Sequence, residues 1–187
     1  MNNKNKTDEI DEAFHNLLFG VRKSIRYHNR RRRFFDSISK FTSIIAALSG
    51  SATIITVLAK AGNHWVISFA TIVAIFSIID LVVGTAESAR NHNDFAKRFF
   101  DLEKSIITNK VYTDDILAEL TSRRLDIEAD EPPPLKVLDV ICHNELVRAL
   151  GYDDSELAQV TWCQRLFSQY FDLKEYKIKA PRRSPEE

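Results

Sequence analysis

The sequence predicts an all-α membrane protein in which a two-helix transmembrane hairpin is extended into a cytoplasmic helical domain. Two observations predict it. Two long apolar runs, Phe41–Ala59 and Trp65–Ala86, face each other across a short polar turn, and outside them apolar residues recur at helical spacing. At 1.5 Å rise per residue each run reaches about 30 Å, the thickness of a bilayer's hydrocarbon core, with every backbone group bonded internally. A chain of 187 residues is too small to cover two helices that are apolar on all faces, which disfavours a soluble hairpin. The chain therefore divides into a basic, amphipathic N-terminal helix (1–40), the hairpin (41–86), a cytoplasmic helical domain (87–172) and a charged tail expected to be disordered (173–187).

Net charge is zero, but the charges are unevenly distributed. Arg30, Arg31, Arg32, Arg33 and Lys40 precede the first run, and Arg90, Lys97 and Arg98 follow the second, whereas the turn between them offers only Lys60. By the positive-inside rule both termini are cytoplasmic and Trp65 stands at the outer interface. The two cysteines, Cys142 and Cys163, then lie on the reducing side, so no disulfide framework is expected.

Taken in order, residues 1–7 are polar and expected to fray. Asp8, Glu9, Asp11 and Glu12 load a helix N-terminus with negative charge, and Ile10, Phe14, Leu17, Val21 and Ile25 form its apolar stripe. That stripe needs a cover, either later helices or the membrane surface. Arg30–Arg33 point around the whole helix and precede Phe34 and Phe35, a pattern suited to lipid headgroups; an anionic nucleotide is the competing ligand, and nucleic acid is disfavoured because no stacking platform is interleaved.

Within the first run Thr42, Ser49, Thr53 and Thr56 share one stripe, with Ala46 and Gly50 beside it in small-xxx-small spacing. The stripe serves either close helix packing or, if several hairpins surround an axis, the wall of a pore. Asp80 is the one acid of the second run; it shares a face with Phe69, Val73, Phe76, Ser77, Gly84 and Glu87, and either lines such an axis or reaches toward an arginine at the interface. Beyond Ala86 the period continues through Phe95, Phe99, Leu102 and Ile106, so the second span is expected to run on unbroken, with Asp94 supporting Arg98.

Thr113 caps a further helix bearing Ile116, Leu117, Leu120 and Leu125, which Glu131-Pro132-Pro133-Pro134 stops. A helix from about Leu135 to Leu150 follows, with Leu138, Ile141, Cys142, Leu146 and Leu150 inward and Gly151 as its C-terminal cap. Adjacent Cys142 and His143 cannot reach one ion from a helix, so no metal site is expected, and a buried His143 or Asn144 bonding to a neighbouring helix end is the commoner arrangement. Asp153-Asp154 is expected to cap a last helix, Ser155–Phe171, with Val160, Cys163, Phe167, Tyr170 and Phe171 as a stripe for core or oligomer contact. No phosphate loop, dinucleotide fingerprint, zinc-protease pair or nucleophile elbow occurs, so neither an enzyme nor a cofactor is expected.

With the hairpin, the Tyr27-His28-Asn29-Arg30 stretch, the Ala96–Ile106 helix and the segment from Glu131-Pro-Pro-Pro to Cys142-His-Asn-Glu145 in view, the chain resembles the SLATT family of two-transmembrane effectors. The resemblance covers most of Asp8 to Phe171. It implies a membrane-disrupting, pore-forming effector of bacterial antiphage systems, homo-oligomeric in the inner membrane and silent until a nucleotide signal or partner enzyme reports infection. It further implies that the Thr42–Thr56 stripe and Asp80 face a regulated opening that the cytoplasmic helices hold shut. The alternative is a membrane-anchored module that recruits a cytoplasmic partner.

Overall fold

The computed structural model describes residues 2–49, 51, 56, 57, 59, 60, 62–109, 111–175 and 178, those at 2–5 and 63 by backbone alone. Six α-helices are defined among them: α1 Asn2–Ser49, α2 Asn63–Val83, α3 Thr85–Thr108, α4 Asp114–Asp130, α5 Lys136–Leu150 and the short α6 Trp162–Phe167, with a 3-10 turn at Asp154–Glu156. The described residues contain no strand, as the periodicity predicts. Contacts divide the chain into two units, one comprising Met1–Asn29 and Asn93–Glu187, the other Arg30–His92.

The first unit is built on the stripe of α1. Phe14, Leu17, Val21 and Ile25 are buried against Phe99, Leu102 and Ile106 of α3 and Leu120 and Ile127 of α4. Each fully buried side chain of this size contributes about 1.5–3 kcal/mol. The stripe is thus covered by protein. On α4 the inward residue is Ile127, while Leu125 is exposed, because the 3.6-residue turn carries Leu120 and Ile127 to one side. Arg22 reaches Glu103 at 2.6 Å and Lys23 reaches Asp139 at 2.7 Å along the edges of this core.

Several expectations change here. Helix α1 is described from Asn2, and Lys6 pairs with Asp114 at 3.0 Å, so over residues 2–7 the expected fraying gives way to helix. Arg98 does not turn back to Asp94; it pairs with Asp130 at 2.8 Å, and Asp94 takes Lys97 at 3.3 Å. In α5 the buried residues are Val137, Leu138, Cys142, Asn144, Leu146 and Val147, whereas Leu150 is exposed at the Gly151 end. The expected last helix, Ser155–Phe171, is replaced by the 3-10 turn, an extended link and α6. The break has a local cause: Thr161 and Gln164 form a reciprocal capping box that starts a helix at Trp162. Of the stripe expected to be core or oligomer contact, Cys163, Phe167, Tyr170 and Phe171 are exposed and Val160 is half-buried, so it is not core of this chain. The expected disordered tail lies mostly outside the described residues, but its first part is tied down, Glu175 taking Lys136 at 2.8 Å.

In the second unit, α2 carries a 3-4 repeat of shielded positions: Val66, Phe69, Val73, Phe76 and Asp80 are half-buried, and every other described side chain from His64 to Val83 is exposed. Between Phe41 and Ser49 of α1, Thr42 is buried, Ile45 and Ser49 are half-buried, and the rest are exposed. Phe41 and Phe76 meet edge-on at 5.6 Å. One seam is shielded and the outer faces are bare, with Ile44, Leu48, Ile67, Ile72, Ile75 and Leu81 apolar there beside the hydroxyls of Ser43, Ser68, Thr71 and Ser77. The expected unbroken passage from second span to cytoplasmic helix is interrupted at Gly84, which adopts the left-handed conformation (φ 58°, ψ 53°). The apolar period alone does not register that break, because Gly84 and Thr85 stay in phase with the shielded face.

Candidate functional site

Among the described residues one stretch, His64–Thr108, is long and apolar enough to cross a membrane, and none of its most apolar window is buried within the chain. Positions 50, 52–55 and 58 of the first run, Thr53 among them, lie outside the described residues. Thr42 is 7% exposed and its hydroxyl donates to the Ile38 carbonyl at 2.7 Å. Ser49 donates to the Ala46 carbonyl at 2.9 Å and lines an apolar recess with Val66, Phe69, Ala70, Val73 and Ala74. Thr56 is exposed. The structure therefore places Thr42 and Ser49 on the shielded side of the unit and Thr56 on an exposed one.

Asp80 stands one turn before the Gly84 break. Its carbonyl accepts the Gly84 amide at 2.9 Å, and its carboxylate accepts the hydroxyl of Thr85, a side chain that is itself 1% exposed. The contact seen at the carboxylate is a hydroxyl of its own chain, where the sequence suggested an arginine. The first is the ordinary i→i−4 bond of a helix; the second needs the break, because an uninterrupted helix would carry Thr85 away from Asp80.

Arg30, Arg31 and Arg32 are half-buried and Arg33 is exposed. Arg31 lies over the Phe34 and Phe35 rings at 5.5 and 4.5 Å, and Phe35 is stacked on buried His92 at 5.7 Å. A guanidinium packed on an aromatic face, like that of Arg31, is held toward the protein.

A second candidate lies within the first unit, and sequence reasoning missed it. Lys23, Ser24, Tyr27 and His28 of α1, Arg124 and Glu128 of α4, the Glu131–Pro134 stop and Asp139 line an open cleft of about 490 Å³. His28 is 1% exposed, sandwiched by Phe95 and Phe99 at 5.2 and 5.5 Å, and its Nε2 lies 2.6 Å from Glu131. The Tyr27 hydroxyl accepts the Leu135 amide at 2.9 Å. Arg124 pairs with Glu128 at 2.6 Å. The walls are ion pairs of both signs braced on a proline run. A signal for it was present: His28 stands three residues after Ile25 and seven after Val21, so the apolar stripe carries a polar ring that must find a partner inside.

Cys142 is buried, whereas His143 is half-buried, edge-on to Phe19 at 5.3 Å and 3.3 Å from the Glu156 carbonyl. Their surroundings differ, as helical adjacency requires. Asn144 is the buried bonding residue, donating to the Ala158 carbonyl at 2.7 Å and accepting the Ala158 amide at 2.9 Å. Among the described residues no group of three or more His, Cys, Asp or Glu is placed to hold a metal ion. Compared with known protein families, with characterised proteins and with solved structures, the chain matches none.

Proposed function

We propose that this chain is a membrane effector of the SLATT type, whose Phe41–Ala86 hairpin enters the bacterial inner membrane with both termini cytoplasmic, self-associates and forms a pore gated by its cytoplasmic helices. The observation that carries the reading is the surface of α2: its exposed side chains are apolar apart from His64, Ser68, Thr71 and Ser77, and its one acid is engaged by Thr85 on the shielded side. Such a surface is stable against lipid and costly against water. Thr42 and Ser49, like the exposed Ser43 and Thr71, return their hydroxyls to their own helix, which suits a closed state in which these hydroxyls are satisfied without water. Opening then consists of several copies exchanging these private seams for a shared one, since two helices cannot enclose water.

The test is ion flux. Purified chain is reconstituted into vesicles loaded with a self-quenching dye and a potential-sensitive probe, beside Ser49→Leu and Asp80→Leu variants. Depolarisation by the native chain, lost in both variants while each remains in the vesicle fraction, supports the pore. A vesicle-bound native chain that passes no ions under any nucleotide supplied sinks it. The second reading, a membrane-anchored module, draws on the charged cleft around His28 and Glu131; it requires that an unrelated hairpin preserve function in cells.

A further inference from the structure

The segment after α5 has its polarity turned inside out. On α6 and its continuation the buried side chains are Gln164 and Ser168, at 4% and 2% exposure, whereas Trp162 is 73% exposed, Leu166 55%, Tyr170 57% and Phe171 59%. A short helix facing water on one side places its apolar residues inward, so this arrangement implies an outer environment other than water.

The inversion is actively held. Gln164 accepts the Thr161 amide at 2.9 Å and donates to the Leu173 and Lys174 carbonyls at 3.0 and 3.2 Å, fastening both ends of the segment. Ser168 donates to the Arg165 carbonyl at 2.9 Å. Asp172 accepts the Lys136 and Val137 amides, both at 3.0 Å, and anchors the segment to the start of α5. With the polar side chains used as fasteners, the aromatic rings have only the outer side left.

Charge identifies the occupant. From Ala158 to Lys174 the ionisable residues other than cysteine and tyrosine are Arg165, Asp172 and Lys174. Asp172 is turned to the α5 amides, while Arg165 and Lys174 are exposed. The sequence then adds Lys177, Lys179, Arg182 and Arg183 against Glu175, which takes Lys136, and Glu186 and Glu187 at its end, so cations outnumber acids from Ala158 onward. Trp and Tyr rings rimmed by cations match the headgroup layer of an anionic bilayer, where an amphipathic ring sits at the boundary and each cation gains from the surface potential. We infer that Trp162, Leu166, Tyr170 and Phe171, with Arg165 and Lys174, form a peripheral docking face for an anionic lipid surface. This goes beyond the pore reading and is separate from the hairpin.

The chain's two tryptophans allow a test on the full protein. With Trp65→Phe, Trp162 is the sole indole; with Trp162→Phe, Trp65 reports on the hairpin. In vesicles containing phosphatidylglycerol, Trp162 emission is expected to shift to the blue and to be quenched by lipid spin-labelled near the headgroup, and Leu166→Glu with Phe171→Glu should abolish both effects while far-UV circular dichroism is kept. Emission of the solvated kind, quenched by acrylamide and untouched by labelled lipid, overturns the proposal. So does a blue shift that labelled lipid does not quench, which would assign the face to a protein, a second copy included. Quenching equal in purely zwitterionic vesicles overturns the assignment to anionic lipid. Because Trp65 is read separately, failure of the hairpin to insert is distinguished from failure of this face.

Discussion

The hydroxyl of Tyr27 accepts the backbone amide of Leu135 at 2.9 Å, joining the middle of the first helix to the residue that caps the fifth, 108 positions away. Leu135 has no side chain able to cap, and the prolines before it offer none either. Helix α5 therefore obtains its cap from elsewhere in the fold: Tyr27 meets the first amide and Asp172 the next two. A negative group at a helix N-terminus is favoured both by hydrogen bonding and by the dipole.

Removing that distant cap should be measurable. Asp172→Ala is expected to cost about 1–2 kcal/mol, as loss of an N-cap does. That corresponds to a fall of about 2–8 °C in the unfolding midpoint of the detergent-solubilised chain. Asp172→Asn, which keeps an acceptor oxygen, should recover part of it. Equal losses for both would make charge the dominant contribution.

His28 and Glu131 test the cleft. Glu131→Ala removes the partner of a buried ring and is expected to cost about 1–3 kcal/mol, with Glu131→Gln milder. The double-mutant cycle with His28→Phe should show coupling of about 0.5–3 kcal/mol by denaturant titration. Additive losses would show that the 2.6 Å contact contributes nothing beyond packing.

What the sequence discloses here follows locality. The Ile10–Ile25 stripe, Thr113 as a cap and Gly151 as a stop were legible because each is decided within a few residues by period or capping chemistry. The cap supplied by Asp172, the Arg98–Asp130 pair and the His28–Glu131 contact were not, because each partner arrives from another element. The sequence leaves the stripe near Trp162–Phe171 open between core and oligomer contact, because a 3.6 period in aromatic residues marks a face and not whether it turns inward; the buried Gln164 and Ser168 decide that.

Asn144 is expected to be the most sensitive polar residue of α5. It is 4% exposed and satisfies both the amide and the carbonyl of Ala158. Asn144→Ala should cost about 2–3 kcal/mol by leaving buried groups without partners. Asn144→Asp, nearly the same shape, loses the donor and brings a carboxylate toward a carbonyl, so it should do no better at neutral pH. Recovery of the Asp variant near pH 3, followed by circular dichroism, would identify the protonated acid as a replacement donor.

Asp153 gives a pH dependence with a defined sign. The Ser155 amide, at 2.7 Å, and then the Ser155 hydroxyl hold its carboxyl below the usual aspartate range. A carboxyl lowered by folding contributes stability that is present above its unfolded pKa and lost as pH falls through the folded one. Ser155→Ala removes the hydroxyl contribution and should raise the titration midpoint of Asp153 in a carbon-detected NMR series, leaving the amide contribution in place. An unchanged midpoint would assign the whole effect to the backbone.

Gly84 supplies a test whose sign is decisive. Its left-handed backbone suits glycine, and a Cβ there would meet only the Glu87 side chain, at 3.9 Å, so conformational strain and not crowding sets the cost of substitution. Gly84→Ala is expected to destabilise by about 1 kcal/mol, Asn by less because it tolerates this region, and Val by more. If α2 and α3 instead formed one unbroken helix, alanine would stabilise by about the same amount through helix propensity. Unfolding of the three variants in mixed micelles separates the cases. Destabilisation in the order Asn, Ala, Val places a fixed bend beside Asp80 and preserves the Thr85 hydroxyl on its carboxylate; stabilisation by alanine removes the bend and that contact together.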